Sequence, residues 1–247
     1  MTHDRYVLRY AAGSDVGQRR QVNEDAVYAS SHLLAVADGI GGQPYGEVAS
    51  ATAVDVLREL DIDLRRLDLT GVDLAATLTG VVKSIDERLH EVAAQEPQTT
   101  GMGTTLTALM FDGVEFAAAH IGDSRGYLLR DGALRRLTRD HTLVQALVED
   151  GRVAAEDADS HPRRSLLMKA LQTAGSGAPD IWTFPAIEGD RYLLCSDGLS
   201  GPVSEPRLRD VLSAVTDPAE AIPELIRLAN EAGGPDNITC VVADVTA

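Results

Sequence analysis

The sequence has few of the features that mark membrane, secreted or nucleic-acid-binding proteins. No apolar run reaches the roughly 20 residues of a membrane span, and the N-terminus has no signal-peptide core. Asp and Glu outnumber Lys and Arg by 38 to 22, and the resulting net charge of −16 disfavours nucleic acid or an anionic membrane surface as a partner. The two cysteines lie in apolar strand patterns, which predicts buried, reduced thiols. We expect a soluble cytoplasmic protein.

Repeats, low-complexity tracts and linkers are also missing from the sequence. Its 247 residues, 44% hydrophobic and 24% charged, are typical of a globular protein. We expect one domain over residues 1–247. No oligomerisation signal is visible, so the expected state is a monomer.

Hydrophobic periodicity places helices and strands in separate blocks. Apolar residues at helical spacing predict a helix from Gly46 to Leu60 and a second helix with an apolar stripe from Leu74 to Leu89. Strands over residues 104–111, 114–121, 125–130 and 133–137 follow one another too closely for crossover helices, and we predict an antiparallel meander. Further strands are predicted over residues 6–12, 26–29, 33–37, 192–196 and 237–245, and helices over residues 141–151, 206–212 and 218–232. These blocks indicate an α+β fold in which helices cover a double sheet.

Four aspartates lie at the ends of hydrophobic runs. Asp38, Asp123 and Asp197 follow such runs, and Asp236 precedes one. A carboxylate beside a buried strand is costly unless something pairs with it, and the glycines next to these aspartates allow a partner to come close. For one Asp-Gly pair alone, an ordinary turn is the better interpretation. The recurrence favours a divalent cation such as Mg²⁺ or Mn²⁺.

Seven short motifs follow one another along the chain. They are Arg20 with Asn23-Glu24-Asp25, Asp38-Gly39-Ile40-Gly41-Gly42, Gly103-Thr104-Thr105, Gly122-Asp123-Ser124-Arg125, Asp140-His141, Ser196-Asp197-Gly198-Leu199 and Gly234-Pro235-Asp236-Asn237-Ile238-Thr239. Together they resemble the metal-dependent protein phosphatases, the type 2C Ser/Thr phosphatase family, over residues 14–243. Residues 161–165 and 192–197 resemble its bacterial branch, and mycobacterial members in particular. The resemblance implies an αββα sandwich of two mainly antiparallel β-sheets flanked by helix pairs.

The same resemblance implies a protein-serine/threonine phosphatase with two central Mn²⁺ or Mg²⁺ ions. Asp38 would bridge the two ions, the Gly39 carbonyl would bind one, and Asp197 with Asp236 would bind the other. Two cations that share one water lower its pKa, and the resulting hydroxide attacks the phosphorus of phosphoserine or phosphothreonine.

Residues near the metals have roles by resemblance as well. Glu24 and Asp25 would hold metal-bound waters, although a solvated turn is their reading without the surrounding pattern. Arg20 matches the arginine that grips the substrate phosphate, because a guanidinium meets phosphate oxygens in a bidentate manner. Its neighbour Arg19 is the alternative, and the spacing to Asp25 favours Arg20.

Bacterial members carry a third, weaker metal, for which Asp123 matches a ligand. Asp197 would then serve two metals. Ser160 matches a further contact to this ion, but a plain surface serine is an equally good reading. It lies in the segment that corresponds to the family's mobile flap, about residues 146–170.

One position departs from the eukaryotic members, in which a histidine follows the Asp-Gly pair as the proposed general acid. Here that residue is Ile40. The leaving group must then be protonated by a metal-bound water or another group. His161 is one candidate, although a solvent-exposed histidine is the simpler reading. His120 lies in an apolar strand and is expected to be a core residue.

Three further motifs have structural readings. Thr104 and Thr105 are expected to support the start of a strand, and Ser124 with Arg125 to hold the turn at Asp123. Asp140-His141 is interpreted as a helix N-cap.

Two other functions remain open. One is a phosphoprotein-binding or regulatory domain that keeps the fold but has little catalytic turnover, which the four intact aspartates disfavour. The other is a cation-stabilised binding domain without phosphate chemistry, which the presence of Arg20 disfavours. By resemblance, the expected partners are phosphorylated proteins, including Ser/Thr kinases and their substrates.

Overall fold

The computed structural model describes residues 6–40, 45–67, 69 and 71–247, with the backbone alone at residues 159 and 160. Two 3₁₀ turns, Pro97–Thr99 and Ala155–Ser160, accompany the regular elements. The elements are β1 (Val7–Asp15), β2 (Asp25–Ala29), β3 (Leu33–Asp38), α1 (Gly46–Leu64), α2 (Leu74–Gln95), β4 (Gly103–Thr104), β5 (Leu106–Phe111), β6 (Glu115–Ile121), β7 (Arg125–Arg130), β8 (Ala133–Arg136), α3 (Leu143–Glu149), β9 (Leu171–Gln172), β10 (Asp180–Pro185), β11 (Arg191–Cys195), α4 (Asp197–Ser200), α5 (Glu205–Ala214), α6 (Pro218–Glu231) and β12 (Ile238–Thr246).

Two five-stranded antiparallel sheets form the centre of the fold. Their strand orders are β1-β12-β11-β7-β8 and β10-β6-β5-β3-β2, and β4 pairs separately with β9. Helices α1 and α2 cover the second sheet, while α5 and α6 cover the first. The predicted αββα sandwich is therefore confirmed.

The strands are apolar on both faces because each sheet packs against helices on one side and against the other sheet on the other. In β3, Leu33, Ala35 and Ala37 pack beneath α1 and α2, whereas Leu34 and Val36 pack between the sheets. This explains why β3 reads as a continuous apolar run rather than as an alternating pattern.

Helix α2 follows the predicted stripe closely. Its N-cap is Asp73, whose side chain accepts a hydrogen bond from the backbone N–H of Ala76 at 2.9 Å. Helix α1 extends to Leu64, four residues beyond the predicted end, because Asp61 and Leu64 are buried in the same interface. The six predicted stripe residues are the buried residues of α2: Leu74, Leu78, Val81, Val82, Ile85 and Leu89.

The predicted meander over residues 104–137 is wrong. Strands β5 and β6 form a hairpin in one sheet, and β7 and β8 form a hairpin in the other. The turn at Gly122 carries the chain between the sheets, and β6 pairs with β10 instead of β7. Tight turns indicate hairpins, but they do not tell which hairpins share a sheet.

Strands β9 and β10 and helix α4 had no counterpart in the sequence-based prediction. Strand β10 alternates β-branched and aromatic residues and ends at Pro185 on the edge of its sheet, which is a strand pattern. Helix α4 is a single turn that begins at Asp197. No helix among the residues that the structure describes is both long and apolar enough to cross a membrane.

Candidate metal centre

A cavity of about 190 Å³ opens where the ends of the two sheets meet. The four predicted metal aspartates, Asp38, Asp123, Asp197 and Asp236, all line it, together with Arg20. The fold thus brings together five residues that lie up to 216 positions apart in the chain.

Strand ends place the aspartates around this cavity. Asp38 is the last residue of β3, and Asp123 lies in the turn that leaves β6, both in one sheet. Asp197 directly follows Ser196 after β11, and Asp236 lies two residues before β12, both in the other sheet. Because the sheets pack face to face, their strand ends converge.

Two threonines fix the backbone of Asp38 and leave its carboxylate free of them. Thr105 donates its N–H to the Asp38 carbonyl at 2.8 Å and accepts the Asp38 N–H on its hydroxyl at 3.1 Å. The Thr104 hydroxyl donates to the same carbonyl at 2.9 Å. This agrees with the expected supporting role.

Glycines beside two of the aspartates allow backbone to approach backbone. A Cβ atom on Gly39 would lie 2.4 Å from the Gly46 carbonyl oxygen, and one on Gly198 would lie 1.8 Å from that of Asn237. No side chain fits at either place.

The carboxylates are half-buried close together, and these surroundings raise the pKa values of three of them. Burial, reinforced by the charges of Asp25 and Asp197, raises the pKa of Asp38 well above its usual range. Burial and Asp197 do the same for the pKa of Asp123. Burial, with the charge of Asp236, raises the pKa of Asp197 to about 6.

Asp25 adds a further buried carboxylate directly opposite Asp38 in the β2–β3 pair. Its Oδ2 accepts a hydrogen bond from the Ser196 hydroxyl at 2.8 Å, but its buried Oδ1 has no partner. Burial raises the pKa of Asp25 to about 6. A buried carboxylate oxygen without a donor, facing another carboxylate, is satisfied by a water or a cation.

The donor set fits hard divalent cations. Within the described part of the chain, no three Asp, Glu, His or Cys side chains converge into a complete ligand set by themselves. The cavity instead offers separated carboxylates with room between them. Mg²⁺ can be held by one or two carboxylates with waters in the remaining positions, and Mn²⁺ also suits carboxylate and water oxygens. Both preferences match this arrangement.

Arg20 lies at the cavity with an acidic partner. Its Nη2 donates to Asp236 Oδ2 at 2.7 Å, and its Nη1 lies 3.9 Å from Glu24 Oε2. Burial lowers the pKa of Arg20, but the charge and hydrogen bond of Asp236, with the charges of Glu24 and Asp197, together raise it. Among the described residues, Arg20 rather than Arg19 lines the cavity.

Asn237 organises the loop that carries Arg20, and sequence reasoning missed this role. Its side-chain Nδ2 donates to the carbonyls of Val16 and Val22 at 3.0 and 2.9 Å. Its Oδ1 accepts the backbone N–H of Glu24 at 2.8 Å. The Asp236-Asn237 pair in the last motif was the available signal.

The turn at Asp123 is braced by its predicted neighbours. The Ser124 hydroxyl lies 2.8 Å from that of Thr105. Arg125 makes a forked ion pair with Asp140, with its shortest contact at 2.7 Å.

Asp140-His141 is not a helix N-cap. The cap of α3 is Thr142, whose hydroxyl accepts the N–H of Gln145 at 3.3 Å. Asp140 binds Arg125, and the His141 ring binds the turn at Gly122. A cap and a tertiary contact both place polar residues before a helix, so the local pattern could not separate them.

The other predicted residues fall in different places. His120 is a core residue, as expected: it is 1% exposed, and burial lowers its pKa to about 4. Ile40 lines the cavity, whereas His161 accepts the Arg163 N–H at 3.1 Å on the surface segment. The Ser160 side chain and residues 41–44 lie outside the described residues.

One wall of the cavity was not foreseen. Ser165 and Leu167, from the segment expected to be a flap, line it directly. The apolar Leu167 gave no local sign of this position.

The fold and the cavity define a class: an αββα protein with an acidic centre suited to divalent cations. Residues 12–231 match the family described as Protein phosphatase 2C. The chain therefore belongs to the protein phosphatase 2C family.

Individual relatives agree with this assignment. The chain is 51% identical over 239 residues to the serine/threonine protein phosphatase PstP of Mycobacterium tuberculosis, covering 97% of this chain and 45% of PstP. It is 36% identical over 236 residues to the serine/threonine phosphatase stp of Listeria welshimeri, covering 94% and 93%. The structure of the PstP catalytic domain in complex with two manganese ions matches with a TM-score of 0.89 at 48% identity, covering 98% of this chain and 100% of that one. This chain spans about half the length of PstP.

Proposed function

We propose that this chain is a metal-dependent protein-serine/threonine phosphatase. The observation that carries the proposal is the cavity where Asp38, Asp123, Asp197 and Asp236 meet beside Arg20. The phosphatase names of the relatives and the manganese ions of PstP support it. The proposed substrates are phosphorylated proteins, including Ser/Thr kinases and their targets.

The positions of the acids support the proposed metal roles. Asp38 lies between carboxylates of both sheets and would help to hold both central ions, with the Gly39 carbonyl beside it. Asp197 and Asp236 would hold the second ion, and Asp123 a third, weaker one. Mn²⁺ and Mg²⁺ both suit oxygen ligands. Ser160 stays a proposed contact of the third ion.

The chain's own residues would orient the substrate and manage charge. When bound, the two cations supply Lewis acidity and a water of lowered pKa as nucleophile. Arg20 would exchange its contact with Asp236 for the substrate phosphate, because both present oxygens to the same guanidinium. Glu24 and Asp25 would hold metal-bound waters. Ile40 cannot donate a proton to the leaving group, so that proton comes from elsewhere.

Domain and flap assignments accompany this function. We propose one catalytic domain over residues 1–247 that acts as a monomer, with a mobile flap over about residues 146–170. Ser165 and Leu167 at the cavity support a role for this segment beside the substrate.

The test is hydrolysis of a phosphothreonine peptide with Mn²⁺, with Mg²⁺ and with EDTA. We expect turnover in either metal and none in EDTA or in Asp38→Asn. Arg20→Ala should lose about 10- to 100-fold in kcat/KM, the worth of a hydrogen bond to a charged group. The matched control Arg19→Ala should retain activity within about twofold, because surface substitutions cost little.

Contrary results are equally clear. No turnover in any metal by folded protein would point to the phosphoprotein-binding domain instead. Equal losses in Arg19→Ala and Arg20→Ala would contradict the assignment of the phosphate contact.

A further inference from the structure

His141 joins two parts of the cavity that are far apart in the sequence. Its ring Nδ1 accepts a hydrogen bond from the backbone N–H of Gly122 at 3.2 Å. The backbone N–H of His141 donates to the Gly122 carbonyl at 2.7 Å. Gly122 immediately precedes Asp123. The side chain and the backbone of His141 therefore both hold the residue next to a proposed metal ligand.

The backbone of residues 141–143 holds the second part of the cavity, the segment 166–168. The His141 carbonyl accepts the N–H of Met168 at 2.7 Å, and Leu143 donates to the Leu166 carbonyl at 2.9 Å. Thr142 and Leu167 form an isolated antiparallel bridge between these two bonds. Residues 141–143 thus pair like a short strand with residues 166–168, and Leu167 lines the cavity.

The ring of His141 is held in one orientation by its second nitrogen. Since Nδ1 accepts from Gly122, the ring proton is on Nε2, which donates to Asp180 Oδ2 at 3.1 Å. Lys169 Nζ lies 3.5 Å from Oδ1 of the same carboxylate. The imidazole is only 4% exposed, so neither nitrogen can replace its partner with bulk water at small cost.

Within the described part of the chain, the turn offers the Gly122 N–H no acceptor besides His141 Nδ1. Gly122 has φ +113°, and a Cβ there would lie 2.5 Å from Thr105 atoms, so no side chain at residue 122 could brace the turn. Without Nδ1, the Gly122 N–H would be buried and unpaired. The direction of the next residue, Asp123, depends on this peptide.

We propose that His141 is a positioning residue that holds the Asp123 turn in register with the cavity wall at residues 165–168. Through this contact it sets the affinity of the third, weaker cation. The inference rests on the proposed function for the identity of the ligand, and on the contacts of His141 for its mechanism.

Two substitutions of His141 separate the contributions of its two ring nitrogens. The amide of His141→Asn reaches the place of Nδ1 and can still accept from Gly122, whereas that of His141→Gln reaches the place of Nε2 and can still donate to Asp180. Each variant is compared with wild type in three measurements: calorimetric Mn²⁺ titration, kcat and KM on a phosphothreonine peptide, and exchange of the Gly122 amide followed by NMR.

We expect His141→Gln to raise the Kd of the lower-affinity Mn²⁺ site at least about fivefold, as the loss of one buried hydrogen bond predicts. The Gly122 amide should also lose its protection from hydrogen exchange. His141→Asn should stay within about twofold of wild type in both. The tighter Mn²⁺ binding should be unchanged in both variants. The change in turnover should appear in kcat at low Mn²⁺ and be restored by high Mn²⁺.

A double variant distinguishes positioning from general stability. In an Asp123→Asn background, His141→Gln should have no further effect on Mn²⁺ binding or kcat, because the ligand that it positions is gone. A further loss there, equal behaviour of the Asn and Gln variants, or only one class of Mn²⁺ binding in wild type would overturn the proposal. Absence of Mn²⁺-dependent turnover in wild type would instead reject the phosphatase function, while the Gly122 exchange still tests the contact.

Discussion

At the scale of single residues, the centre depends on groups that never touch a substrate. Asn237 donates to two carbonyls and accepts one N–H of the Arg20 loop, so one amide replaces the secondary structure that this loop lacks. All three partners are backbone groups that lie 213 to 221 residues away in the chain. The position of Arg20 is therefore linked to the end of the chain that supplies Asp236.

We predict that Asn237→Ala destabilises the protein by about 2 kcal/mol, because three backbone groups of the loop lose their hydrogen bonds to this side chain. It should also raise KM more than it lowers kcat, since the loop carries Arg20. Urea unfolding and steady-state kinetics measure both effects. The control is Asn230→Ala, because the Asn230 side chain bonds the side chains of Gln18 and Asp15 among the residues that the structure describes. Comparable effects of the two variants would contradict the bracing role.

At the scale of elements, helices contribute stability and strand ends contribute chemistry. Helix α2 begins at a capping aspartate and buries one stripe, with no residue at the cavity. The turn from β11 to α4 instead buries its glycine against the backbone of Asn237. Glycine therefore has different roles in the two elements. Gly80 is exposed inside α2, whereas Gly198 is packed against backbone.

We predict that two glycine substitutions change the free energy of unfolding in opposite directions. Gly80→Ala should stabilise by about 0.5–1 kcal/mol, because Gly80 is exposed inside α2 with nothing within 4 Å of the added Cβ. Gly198→Ala should destabilise by about 3 kcal/mol or more, since its Cβ would overlap a carbonyl oxygen. Thermal and urea unfolding test both. A destabilising Gly80→Ala would show that the local helix geometry is not ordinary.

At the scale of the whole molecule, the sandwich gathers a cluster of carboxylates at one end. Three apolar layers fill its interior, and the carboxylates meet where strand ends of the two sheets converge. There Asp25, Asp38, Asp123 and Asp197 have raised pKa values because they are buried together. The folded protein without cations therefore carries a repulsion that cations relieve.

We predict that saturating Mn²⁺ raises the melting temperature by about 5–10 °C over EDTA at pH 7.5, as expected for a ligand at about 100 times its Kd. The folded pKa values of Asp25 and Asp197, about 6, exceed the usual value of 3.8. Proton binding to the folded state thus stabilises the metal-free protein at low pH, and this stabilisation is lost as pH rises through 6. The Mn²⁺ increment should accordingly shrink towards pH 5.

Asp38→Asn provides the matched variant for this measurement. It should melt higher than wild type in EDTA, because one of the repelling carboxylates is neutral, and it should show little shift with Mn²⁺. The exposed Asp63→Asn should behave as wild type in both conditions. A Mn²⁺ shift of normal size in Asp38→Asn would contradict a central role of this carboxylate.

Much of the fold could be predicted because its signals are local. The stripe of α2, the apolar runs of the strands and the aspartates at their ends are all visible within a dozen residues, and the structure contains them. The motif containing Asp236 also carried Asn237, but nothing in its sequence spacing indicated which carbonyls the amide would bind.

Sequence by itself thus determined an α+β fold with helices over a double sheet, the helix stripes and the candidate acids of the centre, because burial acts on each segment separately; the αββα sandwich was implied by the resemblance to the type 2C phosphatases. Only the tertiary structure decided that β6 pairs with β10 instead of β7, that His141 braces Gly122, and that Leu167 forms a cavity wall. These are contacts between segments 19 or more residues apart, or between sheets, and many pairings satisfy the same local pattern. Packing of the whole chain selects one of them.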